Sequence, residues 1–375
     1  MSITQLLENI DNEMIQSYKN KIIDDVLFIH MGFYLKNIEF MEHLNIKALK
    51  LQLCTNVVPK LRSKTVKDLK LIYCKIQNLQ EMELDNLESL FLQEEQKKLE
   101  DNALTQSITK LQNLQKLRLD GYRNLDIKPL NVMKQLQTLE LNTCQLKQID
   151  DIKELNQLKE LIINYCGLVQ LTALKYFMQL TKLSLISCGL VNLDQLVSLT
   201  NLEKLYINNN KGVDITQVQH LSQLAVLHMN ECGLQILDAL RPLVNLNELN
   251  IRYNQIIYVQ PLAELKQLTV LNAEVNCILD ASTIENNPNF RSFNMIIQNQ
   301  PSKEQLSIAN VLRNTNYPVT LLRQMRSLKF NFKATQIVQK QNIEQFMLQY
   351  YQRQVSFSNQ VSSLFTEMSK FEYSQ

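Results

Sequence analysis

Seven cysteines and four histidines are the residues with which this chain could bind a metal or attack a substrate. Thiolates and imidazoles hold zinc when they come in clustered pairs, such as two cysteines separated by two residues. No such pair is present, and no two of His30, His43, His220 and His228 have ligand spacing. His228 and Cys232 are four residues apart, but Cys232 belongs to a periodic series of inward-facing positions. Asp150-Asp151 is a carboxylate pair on a turn, where solvation explains it better than acid–base work. There is no Gly-rich phosphate loop and no Gly-x-Ser-x-Gly elbow. The expectation is therefore no metal, no cofactor, no catalytic residue and no enzyme activity.

What the cysteines do have is a period. Six of the seven occupy one position of a recurring block: Cys54, Cys74, Cys144, Cys166, Cys188 and Cys232. The clearest copy reads Leu136-x-x-Leu139-x-Leu141-x-x-Cys144-x-Leu146-x-x-Ile149-x-x-Ile152-x-x-Leu155. The block restarts at Leu158, Leu180, Leu202, Leu224, Leu246 and Leu268, each step being 22 residues. Weaker copies begin at Leu114, Leu87 and Val66, and shorter or degenerate ones at Ile46 and Leu27. Phe290-x-x-Phe293-x-Met295 continues the spacing at the far end. Between Leu87 and Leu114 the step is 27 residues, and the five extra fall in the charged stretch 93–106, which is expected to bulge outward. About twelve units fit between residues 24 and 298.

Leucine supplies 64 of 375 residues, whereas Gly supplies 6 and Pro 7. Such a composition fits a repeat array better than a loop-rich enzyme. The Leu-x-Leu core alternates with period two, the mark of a short strand with one buried face. The apolar residues that follow at spacing three describe a tighter helical or 3₁₀ arc. One block cannot bury its own leucines, so neighbours must stack into a continuous core.

These blocks resemble the leucine-rich repeat family, in the 22-residue class shared by a phosphatase regulatory subunit, a small nuclear ribonucleoprotein, axonemal dynein light chain and internalins. The resemblance covers about three quarters of the chain. It implies an α/β solenoid with a curved parallel sheet on the inner side and 3₁₀ or short helical turns on the convex side. It also implies that the periodic Cys/Asn position (Cys54, Cys74, Cys144, Cys166, Cys188, Asn210, Cys232, Asn254 and Asn276) is a structural ladder of reduced thiols and amides. Gly167, Gly189 and Gly233 each follow a ladder cysteine where the backbone must bend.

Residues between and just after the strand leucines point out of the inner face and vary from repeat to repeat. From Lys70 to Glu274 they form a mixed polar and aromatic surface. Tyr165, Tyr206, His228, Glu231, Arg252 and Tyr253 are the candidate protein-binding patch, because Tyr and Arg bury a large apolar body while keeping a polar tip. Asn142, Asn164, Asn208 and Asn230 form a column that reads either as part of that surface or as a second side-chain ladder. Basic residues alternate with acids, and the net charge is only +2, which argues against nucleic acid as the ligand.

Residues 1–23 carry apolar residues at helical spacing and are expected to form an N-terminal helical cap. Residues 299–375 lack the repeat and carry nine basic and four acidic residues. They are expected to form a helical tail, as a cap or as a coiled coil able to self-associate. No secretory leader, membrane span or glycosylation sequon is evident, so a cytoplasmic or nuclear setting is expected. The function that follows is a non-catalytic scaffold binding a protein partner on the concave face. The alternatives are a phosphatase regulatory subunit and a cytoskeletal or axonemal adaptor.

Overall fold

A computed structural model describes residues 22–30, 44–53, 61–74, 76, 79–98, 103–146, 148–167, 171–279, 281–284, 287 and 289–295. The capping segment up to residue 21, the tail 299–375 and Cys54 lie outside the described residues. The chain divides into two compact units between Cys188 and Gly189.

In the first unit the strands are β1 (Ile22–Ile23), β2 (Val26–His30), β3 (Ala48–Gln52), β4 (Asp68–Ile72) and β5 (Ser89–Lys98). They continue with β6 (Lys116–Arg123), β7 (Thr138–Asn142), β8 (Glu160–Asn164) and β9 (Lys182–Ser184). From β2 onward each pairs in parallel with the next, and the Leu-x-Leu motifs stay in register, as in Leu117↔Leu139↔Leu161↔Leu183. The second unit repeats this with β10 (Lys204–Tyr206), β11 (Val226–His228), β12 (Glu248–Asn250), β13 (Val270–Asn272) and β14 (Ser292–Asn294).

From β6 to β13 each return to the sheet runs through a one- or two-turn 3₁₀ segment, such as Asp150–Ile152, Thr172–Tyr176 and Thr216–His220. A 22-residue coil has no room for a full α-helix plus two turns, so the tighter helix closes it. The strand leucines and the turn leucines meet inside each coil. Leu139, Leu141, Ile152 and Leu155 in the first unit, and Leu227, Leu240, Leu243 and Leu249 in the second, are wholly buried.

Two features depart from the sequence expectation, and a third adds to it. Ile22 and Ile23, placed in the capping segment, instead form β1 and pair antiparallel with Leu27 and Val26. The five extra residues do not simply bulge outward. They lengthen β5, whose Lys97 and Lys98 pair with Tyr122 and Arg123 after a register shift, and the chain then enters the one described α-helix, α1 (Ala103–Ile108). Within this stretch Glu94 turns inward and is buried, because its Oε1 accepts the backbone N–H of Ile76 at 3.0 Å.

The third feature is backbone handedness. The residue immediately before the ladder position has a left-handed φ of 53–60° in nine coils: Leu53, Tyr73, Thr143, Tyr165, Ser187, Asn209, Glu231, Tyr253 and Val275. Only one of these nine is a residue type at ease there, Asn209. For branched Val275 the strain is greatest, so Val275→Asn should stabilise the fold by roughly 0.5–1 kcal/mol in urea unfolding. A lower stability for the variant would show that Val275 packing outweighs its backbone strain.

Candidate functional site

The periodic thiols lie inside the coils, donating to carbonyls of their own and the preceding strand. Cys144 Sγ reaches Leu119 O at 3.1 Å and Asn142 O at 3.2 Å. Cys166 reaches Leu141 O at 3.2 Å, Cys188 reaches Ile163 O at 2.9 Å, and Cys232 reaches Ile207 O at 3.2 Å. Asn254 does more. Its Nδ2 donates to Met229 O, Ile251 O and Arg252 O, and its Oδ1 accepts from the N–H groups of Cys232 and Leu234. Asn210 and Asn276 bond in the same two-way fashion. Glu94 supplies the acceptor half of this pattern in the irregular coil.

Burial pushes the thiols of Cys144 and Cys188 up to about 12, and those of Cys166 and Cys232 up to about 11. Thiols so protected are poor nucleophiles and poor metal ligands. Among the described residues no group of three His, Cys, Asp or Glu is placed to hold a metal ion. The six described cysteines are buried, and none of them forms a disulfide.

The same burial makes stability depend on alkali. Unfolded thiols release their protons near 9, whereas the folded ones hold them to about 11–12. Above pH 9 the unfolded chain therefore binds fewer protons, and stability falls with rising pH. Urea midpoints should be flat from pH 7 to 9 and drop between 9 and 12. A flat profile through that window would mean that the thiols are not buried as described.

On the inner face of the second unit, the candidate side chains are locked in two clusters. Tyr206 meets His228 edge to face, with ring centres 4.9 Å apart, and His228 Nε2 donates to Glu248 Oε1 at 2.7 Å. One column over, the Arg252 guanidinium lies 5.0 Å from the Tyr253 ring centre. Arg252 Nη2 donates to Tyr253 Oη at 3.2 Å and pairs with Glu274 Oε2 at 2.8 Å. Glu274 is held in turn by Asn294 Nδ2. Tyr253 remains 47% exposed. Arg252 Nε and Asn250 Oδ1 are buried without a hydrogen-bond partner, a cost that native structures accept sparingly. Glu231 is exposed beside this cluster at its left-handed position. Tyr165 belongs to the first unit, where it is 56% exposed.

Glu248 and Glu274 hold these side chains in place. Glu248 lies before the first strand leucine, and period two puts it on the same face as Asn250, outside the positions between and after the leucines. The asparagine column divides. Oδ1 of Asn164, Asn208 and Asn230 each accepts the backbone N–H one coil on, from Ile186, Asn230 and Arg252 at 2.8–3.0 Å. Asn142 instead donates to Asp120 Oδ1 at 2.8 Å, within a network centred on Arg118.

No family model and no curated protein matches the chain. Solved structures do. An internalin of Listeria monocytogenes is 22% identical over 79% of this chain and 85% of its own length, with a TM-score of 0.55. A leucine-rich-repeat protein of Leptospira interrogans is 20% identical over 76% of this chain and 87% of that one, with a TM-score of 0.49. The fold is a leucine-rich-repeat solenoid of the 22-residue class. No helix among the described residues is long and apolar enough to cross a membrane.

Proposed function

We propose that the chain is a non-catalytic scaffold that binds a protein partner on the inner face of its repeats. The supporting observation is the Arg252–Tyr253–Glu274 cluster beside Tyr206–His228–Glu248. Aromatic and arginine side chains are fixed there by ion pairs and ring contacts before any partner arrives. Such pre-ordering lowers the entropy lost on association, and Tyr and Arg dominate binding energy at interfaces. Tyr165 of the first unit, 56% exposed, is included in the proposal, and Tyr165→Ala tests it separately. Thiols that form no disulfide among the described residues support a reducing compartment, such as the cytoplasm or nucleus.

Photo-crosslinking tests the reading. A photoreactive phenylalanine analogue at Tyr253 or Tyr206 should capture a protein from native lysate. The same analogue at Val244, 54% exposed on the turn side of its coil, should not. Equal capture at Val244 would remove the preference for the inner face.

A further inference from the structure

The first unit presents a different surface. The middle residues of five successive strands line up in register across β2–β6 as Phe28, Lys50, Lys70, Phe91 and Arg118. Phe28 is 45% exposed and Phe91 half-buried. Each ring carries a cation: Lys50 Nζ lies 4.6 Å from the Phe28 ring centre and Arg118 Cζ 4.5 Å from that of Phe91. The Arg118 charge is already taken, by Asp120 Oδ2 at 2.6 and 2.9 Å and by Glu140 at 3.5 Å. The lysines are less committed. Lys70 makes one loose, exposed pair with Asp68 at 3.5 Å, and no ion pair joins Lys50 or Lys116 to a carboxylate among the described residues. On the same face of β3–β6 the four cations Lys50, Lys70, Lys116 and Arg118 stand against Asp68, Asp120 and the exposed Glu95 of β5.

We propose that this stripe binds an extended acidic peptide segment of a protein partner, at a site separate from the Tyr206–Tyr253 patch. Three register steps separate Phe28 from Phe91, about 14 Å at the usual strand spacing of about 4.8 Å. An extended chain covers that distance in about four residues and sends alternate side chains to one side. The complementary segment therefore carries apolar residues at positions i and i+4, over the two rings, and Asp or Glu at i+2, over Lys50 and Lys70. Single-stranded nucleic acid fits less well, because Asp68 and Asp120 lie within the stripe and repel a phosphate backbone, which needs a continuous basic track.

Fluorescence anisotropy with the full chain tests this. The probe is a labelled peptide with the sequence Gly-Ser-Leu-Ser-Asp-Ser-Leu-Ser-Gly. The probe should bind, and binding should weaken as salt rises. Lys50→Glu with Lys70→Glu should weaken it about tenfold or more, and the milder Lys50→Gln with Lys70→Gln by less. Both pairs are on the surface, and circular dichroism checks that they fold. A peptide with Lys in place of Asp should not bind. The Tyr206→Ala, Arg252→Ala, Tyr253→Ala variant should bind the probe unchanged, so the two sites fail or succeed independently. No binding of the probe, binding indifferent to the lysine variants, or preference for a labelled oligothymidylate over the probe would overturn the proposal.

Discussion

Replacing Asn254 by alanine should cost roughly 3–4 kcal/mol of folding stability, measured by urea unfolding. Asn254 is buried, and one side chain serves three carbonyls and two N–H groups on two adjacent coils. Truncation leaves those groups away from water without partners, at about 1–3 kcal/mol for each one that water cannot reach. The loss falls short of the full sum because some groups re-pair or admit water. In a solenoid each coil is supported only by its neighbours, so damage at one interface weakens the array locally. Asn254→Cys should cost about half as much, because a thiol in this slot still donates to the strand carbonyls, as Cys232 does to Ile207 O at 3.2 Å. What the thiol supplies poorly is the acceptor: the Cys144 N–H meets Cys166 Sγ only at 3.4 Å. If the alanine variant were as stable as wild type, the side-chain ladder would not be what closes the coils.

The second large effect is on binding. Arg252→Ala should weaken the partner complex by about 100-fold, roughly 3 kcal/mol, with folding stability changed by less than about 1 kcal/mol. The guanidinium is the centre of its cluster: it holds the Tyr253 ring, pairs with Glu274 and keeps one nitrogen unsatisfied. Its removal frees an anchor ring and leaves Glu274 with Asn294 alone among the partners described above. Arg252→Lys should recover only part of the loss, since an ammonium pairs with Glu274 but lacks the flat fork that stacks on the ring. Equal affinities for wild type and Arg252→Ala would place the energetic centre elsewhere.

Much of the solenoid was legible in the sequence because its physics is periodic. The Leu-x-Leu alternation located β6 to β13, and the 22-residue step fixed which leucines align. What escaped was either aperiodic or carried no signature in residue type. The hairpin strand Ile22–Ile23 is too short to carry a pattern. The lengthened β5 follows from a local insertion whose charged composition suggested a loop, until Glu94 found a buried N–H to accept. The left-handed residue before each ladder position left no trace in composition, because Leu53, Tyr73, Glu231 and Val275 are forced there by coil closure and not by preference. Inner-face exposure could be read for Tyr253 and Tyr165. The pairing of His228 with Glu248 could not, since it joins residues 20 positions apart on neighbouring strands.

The most direct test of the scaffold reading is affinity capture from native cell lysate with the full chain as bait, quantified by mass spectrometry. Wild type is compared with a variant carrying Tyr206→Ala, Arg252→Ala and Tyr253→Ala, its fold confirmed by circular dichroism. The account predicts at least one protein enriched on wild type and reduced about tenfold or more on the variant. Identical capture of every protein by the two baits would contradict it.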